Sequence, residues 1–211
     1  MENYIIEFAA LAGAHLLAVM SPGPDFAIVL RSSLSHSRTE GIWTSVGLGL
    51  GILVHVAYSI IGIGLIIQQS VALFNIIKWV GAAYLIYIGC KSLRAKRSMK
   101  KDIEIKIGRH APTVNVLKAI RSGFLTNILN PKTTLFFLAL FSIGISPTTP
   151  VSIKIIYGAE MSIVTFLWFS FVALTLTQPA VRIRFMGIKH IVERFTGVVL
   201  IALGLKIAVS K

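Results

Sequence analysis

The stretch from Ile42 to Ile67 runs for 26 residues without an Asp, Glu, Lys or Arg, and its one histidine is His55. A helix rises about 1.5 Å per residue, so about 20 apolar residues cross the hydrocarbon core of a bilayer. A segment of this length is expected to span a membrane with some tilt. The rest of the chain agrees. Charged residues make up only 14% of its 211 residues, and hydrophobic residues 55%, whereas a soluble domain carries about 25% charge. Mean hydropathy is +0.80. Five more apolar stretches lie at about 4–30, 71–90, 122–145, 155–177 and 191–209, of which the last is the weakest. They lack the period-two alternation of barrel strands and are about twice as long as such strands need to be. The fold class is therefore expected to be an all-α integral membrane protein with six transmembrane helices.

The net charge of +13, from 21 Lys and Arg against 8 Asp and Glu, would suggest nucleic acid on a soluble surface. Here the cations cluster between apolar runs. The connection 91–121 holds ten, including Arg94, Lys96, Arg97, Lys100 and Lys101; 178–194 holds four, and 31–41 holds Arg31 and Arg38. The opposite connections hold one each, Lys78 and Lys154. Cytoplasmic loops retain positive charge during insertion, which places these three connections in the cytoplasm and both termini outside. Loop 91–121 thus reads as a solvated topogenic segment, with anionic lipid or RNA as the less common alternative. No nucleic-acid partner and no cofactor are expected. Cys90 is the single cysteine, which excludes an internal disulfide and a cysteine-based metal site. The start, Met1-Glu2-Asn3, lacks a cationic leader and reads as mature sequence.

The first span contains Met20-Ser21-Pro22-Gly23-Pro24-Asp25, and the fourth Asn127-Ile128-Leu129-Asn130-Pro131-Lys132. The third and sixth spans share a pattern: Gly81, Gly89 and Lys91 in one, Gly197, Gly204 and Lys206 in the other, with a one-residue slip. Residues 1–211 then form a single transporter domain of two halves, about 1–93 and about 116–211, joined by the basic loop. Three spans per half make the second half run the opposite way through the membrane, an inverted repeat of the transporter kind.

Proline removes a backbone donor and fixes φ, so a regular helix cannot continue through Pro22-Gly23-Pro24, and Pro131 interrupts the fourth span. Backbone opened at membrane depth must be buried in protein or face a watery cavity, so both breaks should meet at one. Matching Pro24 with Pro131 makes Asp25 and Lys132 pseudo-equivalent. A carboxylate at the start of a half-helix is stabilised by free N–H groups and the dipole, whereas Lys132 opposes that dipole and needs an anion. That anion is either Asp25 or a substrate carboxylate. An Asp, a Lys and exposed helix N-termini suit a zwitterion, with Asp25 facing its ammonium and Lys132 its carboxylate. A structural ion pair joining the halves is the alternative. Asn127 and Asn130 either reach the substrate or cap the interrupted helix.

At these positions the chain resembles the lysine exporter family of bacterial amino-acid efflux permeases, and within it the threonine and homoserine exporters. The matching residues are Met20-Ser21-Pro22-Gly23-Pro24-Asp25-Phe26, Gly47-x-Gly49-x-Gly51 ending in His55, Trp79-x-Gly81-Ala82-Ala83-Tyr84-Leu85-x-Tyr87-x-Gly89, and Leu125-Thr126-Asn127-x-x-Asn130-Pro131-Lys132. The resemblance implies export of amino acids across the bacterial inner membrane in exchange for protons, without fixing the amino acid. Proton-coupling candidates are Asp25, His55 and Glu160, although His55 varies within the family. His15 and His55 could relay protons or simply pack. The glycines of the second span could line a path or let helices approach closely, and Phe26, Phe136 and Phe137 could shape a side-chain pocket. A monomer and a homodimer are both left open. Competing readings are a membrane enzyme, disfavoured by the absence of H-E-x-x-H or G-x-S-x-G, and an exporter of cations or a lipid transporter on the same scaffold. Lys132 would repel a cation.

Overall fold

The computed structural model describes residues 2–95, 114–146 and 148–209, and within them the chain forms eight helices: α1 (Glu2–Met20), α2 (Pro24–Ser35), α3 (Arg38–Gln69), α4 (Val71–Leu93), α5 (Val116–Ile128), α6 (Pro131–Gly144), α7 (Val151–Thr175) and α8 (Pro179–Val209). Proline sets three of the starts. Pro24, Pro131 and Pro179 each open a helix, at the position where a missing N–H costs nothing. Most of the basic loop, residues 96–113, falls outside the described residues.

Both expected interruptions are present. The axes of α1 and α2 bend by 53°, and those of α5 and α6 by 59°. Among the described residues two helices, α3 over Arg38–Gly62 and α7, are long and apolar enough to cross a membrane, and up to four spans result if each bent pair counts as one. Helix ends differ from the expected spans where charge misled. The four cations assigned to a connection at 178–194 instead lie on α8 itself, whose 31 residues would extend about 46 Å. Lys118 and Arg121, assigned to the basic loop, lie in α5. A long helix can carry cations on its exposed turns, so charge alone does not mark a helix end.

Packing follows from small residues. α3 lies against α5 and α7, and α4 against α8. At the first contact a Cβ on Gly47 would strike the Ile120 carbonyl, and one on Gly123 the Thr44 carbonyl. At the α4–α8 contact a Cβ on Gly89 or Gly197 would lie 2.7 Å from the other's carbonyl oxygen. These glycines, together with Gly49 against Ser162, serve close approach rather than a path. Two apolar cores result. One, built on Leu11, Ile52, Leu85, Phe137, Leu140 and Met161, joins α1, α3, α4, α6 and α7; the other, on Phe26, Val29, Leu48, Phe169 and Met186, joins α2, α3, α7 and α8. Large apolar side chains also cover the outside: Ile61, Ile76, Trp79, Tyr87, Ile163 and Phe171 are all more than half exposed. Apolar cover of this extent belongs against lipid.

The ends are tied in two groups. The Arg38 Nε donates to Thr177 Oγ1 at 2.7 Å, and Arg194 Nε to the Ala95 carbonyl at 3.2 Å. Glu7 accepts from the Ser146 N–H and the Thr149 hydroxyl, both at 3.1 Å, while the Tyr157 hydroxyl donates to the Tyr4 carbonyl at 3.0 Å.

Candidate functional site

The two breaks meet, and they do so through side chains of opposite character. Gly23 is extended and offers α2 no side-chain cap, and the Asp25 carboxylate follows in the first turn of that helix. It turns to the second break, where Asn127 Nδ2 donates to Oδ2 at 2.8 Å and Asn130 Nδ2 to Oδ1 at 3.2 Å. Both asparagines are buried. Asn130 has a second task, because its Oδ1 accepts from the Lys132 N–H at 3.1 Å and caps α6. Asn127 caps nothing in this way. Its place depends on Gly51, where a Cβ would come within 2.5 Å of Asn127 Oδ1.

Lys132 reaches the other way. Its Nζ donates to the carbonyl of Ser21 at 3.4 Å, an oxygen that the first break leaves without a helical partner. Among the described residues no ion pair of 4.0 Å or less joins Lys132 to Asp25. The carboxylate is thus satisfied by amides and the ammonium by a carbonyl, while the two remain near enough to line one cavity.

That cavity is bounded by Gly23, Asp25, Asn130 and Lys132 on its polar side and by His15, Ile52, Phe136, Phe137, Thr165 and Phe169 on the other. It therefore lies where the two apolar cores meet. A second cavity backs onto the same breaks, lined by Pro22, Pro24 and Pro131 together with Tyr84, Lys91, Ser92, Ala95 and Glu193. Ser21, Gly23, Asn130 and Lys132 line both, forming the wall between them.

The remaining candidates divide. His55 lines neither cavity but buttresses the site from α3: its Nε2 lies 3.1 Å from the Asn127 carbonyl and its Nδ1 2.7 Å from the Tyr58 hydroxyl. Pro131, lacking an N–H, cannot serve the Asn127 carbonyl, which takes the Asn130 N–H at 3.0 Å as well as the imidazole. Glu160 lines neither cavity, and its Oε2 is buried without a partner. Phe136 and Phe137 line the first cavity, whereas Phe26 stacks on Phe185 at 5.3 Å in the core around α2. The Thr165 side chain carried no signal in the sequence. Neither its spacing nor its neighbours connects it to the breaks, and only folding brings it to His15, at 3.2 Å.

Apolar helices, two interrupted pairs and a charged site at their junction are features of a membrane transporter. Comparison with known sequences agrees. The sequence model of the LysE type translocator family matches residues 16–211, and the chain belongs to that family. It is 30% identical over 207 residues to a threonine efflux protein of Escherichia coli strain K12, covering 97% of this chain and 98% of the relative. A threonine efflux protein of Salmonella typhi is 28% identical over 204 residues, covering 97% and 98%. An uncharacterized membrane protein of Bacillus subtilis is 29% identical over 198 residues, covering 92% and 94%. No solved structure matches the chain.

Proposed function

We propose that this protein exports amino acids of the threonine kind from the cytoplasm across the inner membrane, in exchange for protons, with the zwitterion bound between Asp25 and Lys132. One observation carries the reading: a carboxylate from one break and an ammonium from the other line a single cavity without closing into an ion pair. An α-ammonium can take the Asp25 carboxylate and an α-carboxylate the Lys132 ammonium, each adding a charge-assisted bond to groups already oriented. Pro22, Gly23, Pro24 and Pro131 hold the backbone open around the substrate, and Asn127 and Asn130 fix the carboxylate that meets it. The names of the threonine efflux relatives point to the same substrate class.

The architecture in this reading is a single domain over residues 1–211 of six spans in two inverted halves, α1/α2, α3 and α4 against α5/α6, α7 and α8. The similar bends of 53° and 59° support it. So does the packing: α3 meets both α5 and α6 as α7 meets both α1 and α2. The bonds of Arg38 to Thr177 and of Arg194 to Ala95 gather the basic connections at one end, which we take as cytoplasmic. Those of Glu7 gather the N-terminus and the 145–150 connection, taken as outside. The second cavity, bounded by Lys91 and Ala95, is then the cytoplasmic approach, and rocking of the halves would expose the site to the outside. Asp25 is the proton-coupling residue, exchanging a proton for the substrate ammonium; His55 and Glu160 stand behind it as secondary candidates.

The test is efflux of labelled threonine from loaded bacterial cells at matched expression. Asp25→Asn and Lys132→Met are each expected to lower efflux about a hundredfold, the scale of a truncated buried charge contact. Asp25→Asn should also abolish any residual dependence on external pH. Efflux at the wild-type rate from either variant would remove the zwitterion site.

A further inference from the structure

We infer that His15 is the specificity-determining residue for the substrate side chain, its imidazole hydrogen-bonding the hydroxyl of a small hydroxylated amino acid; this rests on the amino-acid reading above. His15 is 1% exposed and lines the cavity that holds Asp25 and Lys132. Its Nε2 lies 3.2 Å from Thr165 Oγ1, while its Nδ1 has no partner. Thr165 is also 1% exposed, and His15 is its hydroxyl's partner. A buried hydroxyl proton needs an acceptor, so it goes to Nε2, and the neutral ring then carries its own proton on Nδ1. The ring is held in place edge-on to Phe137, with centroids 5.9 Å apart.

A buried donor left unpaired is destabilising, and an acceptor on a ligand would offset that. The surroundings narrow the ligand further. Ala18, Val19, Ile52, Phe136 and Phe169 make the wall around His15 apolar, and no carboxylate besides Asp25 lines the cavity. A cationic side chain would meet a donor and no anion, and a purely apolar one would leave the donor buried. A short side chain bearing a hydroxyl oxygen supplies the acceptor that the buried Nδ1 lacks.

The experiment uses the full-length protein in proteoliposomes and compares transport of L-threonine with that of L-valine, in which a methyl replaces the hydroxyl. Wild type should prefer threonine, and His15→Leu should lower the threonine-to-valine ratio about tenfold, because threonine transport falls more than valine transport. An unchanged ratio in His15→Leu, or a wild type without preference, overturns the inference. Thr165→Val, nearly the same shape, frees the ring and should lower the ratio about threefold. Should His15→Leu fail to fold, an unchanged ratio in Thr165→Val overturns the inference. A wild type that carries neither amino acid ends the amino-acid reading and this one with it. That outcome is distinct from one in which both are carried without discrimination.

Discussion

The two breaks each join a bent pair of helices at similar angles, yet their chemistry is opposite. The first, around Ser21–Pro24, contributes acceptors: the Ser21 carbonyl and the Asp25 carboxylate. The second, around Asn127–Lys132, contributes donors: two side-chain amides and an ammonium. Each break satisfies the other, through Asn127 and Asn130 on Asp25 and through Lys132 on Ser21. Neither half could do this alone, because an acceptor-only break leaves a buried carboxylate unpaired and a donor-only break a buried cation. Two bends of similar angle thus carry complementary rather than matching chemistry.

If the donors of the second break hold the acceptors of the first, removing Asn127 should have the largest effect among the site's uncharged partners. Asn127→Leu deletes the shorter bond to Asp25 and keeps the volume, leaving a buried carboxylate oxygen unserved. A bond to a charged group is worth about 1.5–3 kcal/mol. The expected outcome is a fall in the thermal midpoint of the purified protein of about 4–8 °C, with efflux falling about tenfold or more. An unchanged midpoint would show that the breaks are held together by packing alone. Gly51→Ala probes the same bond from α3, since the added methyl presses on Asn127 Oδ1; its effect should follow that of Asn127→Leu in direction and be smaller.

Asn130 separates the two tasks that the second break performs. Asn130→Ala loses both the cap of α6, worth about 1 kcal/mol, and the bond to Asp25. Asn130→Asp keeps an oxygen for the Lys132 N–H but sets a second carboxylate beside Asp25. Stability measured by thermal unfolding should therefore fall in both, while Asn130→Asp should shift the pH at which efflux is half-maximal upward, since one proton shared by two carboxylates is held more tightly. Identical pH profiles for Asn130→Asp and wild type would mean that Asp25 does not titrate during transport.

The two interruptions were legible in the sequence because proline acts through covalent geometry, and no tertiary contact can restore its missing N–H. Asp25 and Lys132 stood out for a related reason, since charge inside an apolar run has to be explained. The partners were not legible. Whether Asn130 caps a helix or holds Asp25 depends on where the first break lies in space, and it does both. The segment 178–194 reads as a connection because it is rich in charge, while α8 runs through it as a helix. His55 drew notice as a titratable group, and its geometry adds a backbone role that follows from Pro131 but needs α3 beside α5 to be seen.

The smallest effect should come from the outermost member of this support. Tyr58 has one hydroxyl proton and two acceptors within reach, His55 Nδ1 at 2.7 Å and the Thr134 carbonyl at 3.2 Å. For His55 Nε2 to donate to the Asn127 carbonyl, the neutral ring must leave Nδ1 as the acceptor, and the shorter bond to Tyr58 then takes the proton. The Thr134 carbonyl, on α6, loses little by this because it also lies within reach of the helical N–H four residues on. Tyr58→Phe removes one neutral hydrogen bond without opening a cavity, a cost of about 1 kcal/mol, and should lower the thermal midpoint by about 2–4 °C while efflux continues. A loss of efflux as large as that of Asn127→Leu would instead place the His55–Tyr58 pair within the transport step, and the second break would then be read from α3 as much as from the first break.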